Sequence, residues 1–133
     1  MAVRGWVLDK SAAARSGDQQ VSAQLNELAG SLHLCQISEL EQLYSARSAD
    51  DYDGLKSRIH RSFDVLAAPG DLLDRALALQ RDLAHHHGMW HRTPIPDLLI
   101  AETALFHDLG VVHVDADYER IAEVRGLVVR RLG

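Results

Sequence analysis

Four carboxylates, Asp9, Glu41, Asp97 and Asp115, each fall where a strand-like apolar run gives way to a helix-like one. In an open parallel α/β sheet such junctions lie along the carboxyl edge, where ligands bind. Acidic residues far apart in sequence would meet there. Carboxylates crowded together repel one another and resist ionisation, and a hard divalent cation with oxygen ligands removes that conflict. The expected ion is Mg²⁺ or Mn²⁺, because Zn²⁺ usually takes nitrogen or sulfur ligands. Such an ion lowers the pKa of water and can stabilise the attacking and leaving oxygens of a phosphodiester. Each residue taken singly has a plainer explanation. Glu41 and Asp97 fall in first helical turns, where acids suit the dipole. Asp9 and Asp115 follow strands directly, where Asp is a common turn residue. The shared edge is what favours a site. Asp117 and Glu39 lie close enough in sequence to be supporting groups or alternative ligands.

The elements that must position these residues can be read from periodicity. Apolar runs predict strands at Val3–Leu8, Leu32–Ile37, Phe63–Leu66, Val111–Val114 and Leu127–Val129, the last extending towards Arg131. Between them, helical spacing predicts Ala12–Arg15 with Ser11 as N-cap, and Asp18–Ala29 closed by Gly30. Ser38 with Glu41 reads as a capping box opening a helix to about Arg47. Further helices are expected over Asp50–Arg61, Asp71–His86, Asp97–Leu109 and Tyr118–Glu123. Leu72, Ala76, Leu79 and Leu83 give the Asp71–His86 helix one apolar face. Pro96 suits the first turn of the Asp97 helix, which is apolar on most sides. This alternation predicts α/β architecture: a mainly parallel sheet with helices on both faces.

The 133 residues amount to one domain with enough chain for a real core. The single cysteine, Cys35, sits in an apolar run and reads as a buried thiol. With no internal disulfide possible, no signal peptide and no membrane span expected, the cytoplasm is the predicted location. The formal net charge of −5 does not advertise nucleic-acid binding. The basic residues are nevertheless nearly all arginine, the better partner for phosphate. Arg47, Arg58, Arg61, Arg81 and Arg92 are the candidates for local patches.

In VLDKSA (Asp9), ISELEQLYSAR (Glu41), IPDLLIAETA (Asp97) and VVHVDADYERIA (Asp115, Asp117) the chain resembles the PIN-domain ribonucleases, and among them the VapC-type toxins of bacterial toxin–antitoxin pairs. The resemblance spans nearly the whole chain. It implies a single PIN domain over 1–133, a three-layer α/β/α sandwich with a mainly parallel central sheet. It implies Mg²⁺ or Mn²⁺ held by Asp9, Glu41, Asp97 and Asp115, with Asp117 as a fifth acid. The activity implied is metal-dependent endoribonuclease, acting on transfer or ribosomal RNA through activated water. The partners implied are a VapB-type antitoxin and a second copy in a homodimer. Glu41 is preferred to Glu39 because it precedes the family's leucine-rich pattern and a small residue, here Ser45.

Two positions depart from the family pattern. Lys10 stands where Thr or Ser is frequent, and Glu102 replaces a small residue. Neither removes an expected ligand, and Ser11 matches the family's serine. His85, His86, His87 and His91 invite a zinc reading, but Gly88 and Pro94 interrupt the helix such a site would need. Contact with RNA or a partner by His91 and Arg92 is a better functional reading than zinc, and plain solvated polarity is the expectation for most of these histidines. A phosphoacceptor receiver domain would need a lysine after its last strand, and a dehalogenase-type phosphatase would need Asp-x-Asp where this chain has Asp9-Lys10-Ser11. The remaining alternative is a degenerate PIN module that acts only by binding a partner.

Overall fold

The computed structural model describes residues 3–86, 88, 90–114 and 116–133. Five short strands, β1 (Trp6–Leu8), β2 (Leu32–Cys35), β3 (Val65–Leu66), β4 (Gly110–His113) and β5 (Val129–Arg131), form one sheet in the order β3-β2-β1-β4-β5. Every adjacent pair among them is parallel. Seven helices connect them: α1 (Lys10–Ala14), α2 (Gln19–Glu27), α3 (Gln36–Leu43), α4 (Ala49–Ser62), α5 (Leu72–His85), α6 (Ile95–Phe106) and α7 (Asp117–Val124). A 3-10 turn at Trp90–Arg92 precedes α6.

Strand alternation makes this a three-layer structure. Successive side chains point to opposite faces. Val7, Cys35 and Val111 enter one core with Leu79 and Leu83 of α5, Leu98 and Ala101 of α6, and Tyr118 and Ile121 of α7. Leu8, Leu34 and Val112, each the neighbour in sequence, enter the other core with Ala12, Val21, Leu43 and Ile59 of α1 to α4. Parallel strands covered on both faces must be apolar on both, as these are. The strand order reverses direction around β1: the chain steps outward to β2 and β3, then returns on the other side to β4 and β5. The crevice between the carboxyl ends of β1 and β4 is therefore the switch point at which ligands bind in such sheets.

Local details correct the expected boundaries. Ser11 does not cap α1; Asp9 does, its carboxylate accepting from the Ser11 N–H. The helix after β2 opens at Gln36, two residues before the expected Ser38 capping box, with Cys35 in the N-cap position and no side-chain cap. Ser38 instead faces the interior, its hydroxyl against Cys35 Sγ at 3.4 Å and the Leu8 carbonyl at 3.5 Å. Tertiary packing has outcompeted a local capping signal. Cys35 is fully buried, and burial raises its thiol above its ordinary value, as expected for an inert structural thiol.

Gly110 marks the tightest backbone approach at the start of β4. A Cβ there would stand 2.6 Å from the Trp6 ring and 2.7 Å from the Val128 carbonyl oxygen. The carbonyl belongs to the backbone and cannot swing away. Gly110→Ala is expected to destabilise the protein by about 1–3 kcal/mol through overpacking, measured as a lower denaturant midpoint at unchanged slope.

Candidate active site

Asp9 is the first residue past β1 and is almost wholly buried, at 3% exposure. Its carboxylate is surrounded by donors. Asp9 Oδ2 accepts from the Ser11 N–H at 2.9 Å and from the Ser11 hydroxyl at 2.6 Å. Asp9 Oδ1 accepts from the Tyr118 hydroxyl at 2.7 Å. Ser11 Oγ in turn accepts from the Val114 N–H at 3.3 Å, so one serine links the ends of β1 and β4. Tyr118, fully buried in the first turn of α7, also places its hydroxyl 3.4 Å from Asp97 Oδ1.

Asp97 reaches this point because of the prolines before it. Pro94 occupies the N-cap of α6 and Pro96 lies in its first turn, where a missing N–H costs nothing. Asp97 thus sits half-buried at the helix opening, where the dipole favours negative charge.

The two glutamates of α3 have opposite surroundings. Glu39 is buried and spoken for: it is hydrogen-bonded to His60 of α4, with Lys56 Nζ 3.9 Å away. Glu41, two residues on, has a buried Oε1 with no hydrogen-bond partner among the described residues. Its carboxyl is raised above the ordinary value, first by burial and then by the charge of Asp9, with Lys10 pulling the other way. Asp9 and Glu41 therefore feel each other directly, and Lys10 lies near enough to offset part of their repulsion. An orphaned buried carboxylate oxygen beside a second carboxylate fits an oxygen-seeking cation such as Mg²⁺ or Mn²⁺.

Of the sequence-derived residues, then, Asp9, Glu41 and Asp97 meet in pairs: Asp9 with Glu41 electrostatically, Asp9 with Asp97 through Tyr118. Asp115 lies outside the described residues. Asp117 is half-buried in the first turn of α7, 3.7 Å from Arg120. Among the described residues no three His, Cys, Asp or Glu side chains form a ready-made metal cage. Of the histidines weighed for zinc, His86 bonds Glu123 of α7 at 3.2 Å and packs on Trp90, while His87 is outside the described residues. The Tyr118 bridge was not foreseen. Its residue type suggested only a core aromatic at the start of a short helix, and its one distinguishing signal was its place three residues after Asp115.

Glu102 points away from this cluster. It is buried at 4% exposure, and Arg125 Nε lies 3.4 Å from its Oε2, while Arg125 Nη1 holds Asp82. Burial nevertheless outweighs Arg125 and raises the Glu102 carboxyl.

The PIN domain profile matches residues 7–124. Ribonuclease VapC17 of Mycobacterium tuberculosis is 55% identical over 123 residues, covering 90% of this chain and 89% of that protein. Ribonuclease VapC21 of the same organism is 36% identical over 121 residues, covering 90% and 87%. The chain belongs to the PIN domain family. Within it, the chain falls in the VapC group. The fold is that of VapBC from Salmonella typhimurium, solved bound to DNA, with a TM-score of 0.71 at 19% identity over 96% of this chain and 97% of that one. VapBC-5 from Mycobacterium tuberculosis matches at 0.67 and 20% identity, over 96% and 98%.

A raised carboxyl makes the folded state favour the neutral acid, so its contribution to stability is full below the ordinary pKa and is lost as pH rises through the folded one. Relative to Glu102→Gln, the wild type is expected to lose stability as pH climbs above 4.5, the ordinary value. Paired urea melts from pH 4 to 7 check the sign.

Proposed function

We propose that this chain is a metal-dependent endoribonuclease, the toxin of a type II, VapBC-like toxin–antitoxin pair, built as a single PIN domain over residues 1–133. The observation that carries the reading is Glu41 Oε1, buried and without a hydrogen-bond partner among the described residues, within reach of the Asp9 charge. Asp9, Glu41, Asp97 and Asp115 would hold Mg²⁺ or Mn²⁺, with Asp117 as a fifth acid. Bound there, the ion supplies a lowered water pKa and charge stabilisation at a phosphodiester. The chain's own residues do the positioning. Ser11 fixes one oxygen of Asp9, the α6 opening aims Asp97, and α3 presents Glu41 while Glu39 is tied to α4.

The relatives named ribonucleases support RNA as substrate, transfer or ribosomal RNA being the expected class. Arg47, Arg58, Arg61, Arg81 and Arg92 make no ion pair among the described residues. Their guanidinium groups are free for bidentate phosphate contacts. Membership of the VapC group supports a VapB-type antitoxin as partner. A homodimer belongs to the same reading, and Leu73, Leu77 and Ile95, all more than 60% exposed on α5 and the start of α6, supply apolar surface suited to a self-complementary contact. Among the described residues no helix is long and apolar enough to cross a membrane. The cytoplasm, where such RNA resides, is the location this reading expects.

Purified protein, free of antitoxin, is expected to cut total RNA into discrete fragments with Mg²⁺ or Mn²⁺ and to stop on addition of EDTA. Asp97→Asn is expected to abolish cleavage while keeping the wild-type circular dichroism spectrum and melting curve. Full activity in that variant would sink the site. No cleavage by folded, metal-loaded wild type would leave the binding-only module.

The antitoxin is expected to inhibit by sending an arginine of its tail into the carboxylate cluster, in competition with metal. Replacing every tail arginine should then relieve inhibition in the same cleavage assay, and undiminished inhibition would rule that mode out.

A further inference from the structure

The Tyr118 hydroxyl touches two of the acids, Asp9 Oδ1 at 2.7 Å and Asp97 Oδ1 at 3.4 Å. A phenol has one proton to give. It donates to Asp9, the nearer, and keeps Asp97 within reach. The opposite oxygen of Asp9 is already held by the two Ser11 donors. Asp9 is thereby gripped at both ends, and its remaining accepting capacity lies on Oδ1, beside Asp97. The hydroxyl is a donor at neutral pH, as any phenol is. Nothing in packing alone requires the oxygen. Tyr118 fills the core with its ring, against His113 at 5.3 Å between centroids, and phenylalanine would fill the same space.

We propose that Tyr118 is a positioning residue for the metal site: its hydroxyl sets the orientation and spacing at which Asp9 and Asp97 face a shared divalent cation. This rests on the metal-site reading above. Groups that orient metal ligands without binding the metal typically cost about 10- to 100-fold in metal affinity or activity when removed. Without the hydroxyl, Asp9 keeps only the Ser11 donors on Oδ2, and the contact that spans Asp9 and Asp97 and sets their spacing against their mutual repulsion is lost.

The experiment measures Mn²⁺ binding by calorimetry on wild type, Tyr118→Phe and Asp97→Asn, with melting curves alongside. Wild type should bind, Asp97→Asn should bind much more weakly, and Tyr118→Phe should bind about 10-fold or more weakly at a melting temperature close to wild type. Its RNA cleavage should need correspondingly more Mn²⁺ for half-maximal rate and recover at saturation. Equal Mn²⁺ affinity in Tyr118→Phe and wild type overturns the role of Tyr118 and leaves the metal site standing. No binding by wild type overturns both. If Tyr118→Phe does not fold, the wild-type oxygen can be watched directly. Tyr44 and Tyr52 are the other two of three tyrosines, both exposed. In a Tyr44→Phe, Tyr52→Phe background, the ¹³Cζ resonance of Tyr118 should shift on Mg²⁺ titration, with the midpoint of binding. A resonance that does not move through saturation overturns the proposal.

Discussion

A carboxylate almost fully removed from water at the end of the central strand is the constraint on which the rest of the site depends. Burying a charge without partners costs several kcal/mol, which no small domain can absorb. Asp9 survives at 3% exposure because three donors meet it, two from Ser11 and one from Tyr118. Those donors come from two different elements. Ser11 is the second residue of α1, so α1 must begin immediately at the strand end; Tyr118 is in α7, so α7 must dock over the carboxyl end of β1. The local turn and the packing of a helix more than one hundred residues later thus answer one electrostatic demand.

The sheet makes that meeting possible. β1 is central, with β2 on one side and β4 on the other, and its side chains divide between the two cores. The Asp9 N–H continues the ladder to the Val112 carbonyl at 3.0 Å, which fixes the direction of its side chain as rigidly as that of a strand residue. Ser11 then ties the carboxyl end of that same strand, β4, into the network through the Val114 N–H. Carboxylates on rigid elements can be held close despite repulsion, whereas carboxylates on free loops would drift apart.

Much of this was legible in the sequence, for identifiable reasons. The continuous apolar runs marked the strands and the flanking helical patterns marked the layers, because each strand had to be apolar on both faces. The prolines before Asp97 marked the opening of α6 correctly. What misled was local chemistry. Ser38 and Glu41 have the spacing of a capping box, yet the helix starts at Gln36 and Ser38 turns inward to Cys35 and the Leu8 carbonyl. Ser11 looked like an N-cap, but Asp9 caps the helix and Ser11 serves Asp9. Both errors have the same origin: a short polar side chain can satisfy either its own helix or a distant partner, and only the tertiary fold decides. Tyr118 was invisible for a related reason, since an aromatic side chain shows its size in sequence and hides the use of its oxygen.

The corrected start of α3 also separates Glu39 from Glu41. A capping role would have given Glu41 a structural purpose and made its carboxylate satisfied. With the helix begun earlier, Glu41 is past the first turn, and its Oε1 is buried with no hydrogen-bond partner among the described residues. Glu39 does occupy the first turn, and it also holds His60 of the neighbouring helix. A buried carboxylate with partners is explained by the fold it stabilises. One without partners, raised by burial and by the charge of Asp9, costs stability that the folded chain alone does not recover. Proteins retain such groups where a ligand completes them, so the energetic imbalance between two glutamates two residues apart supports the proposed cation at this edge.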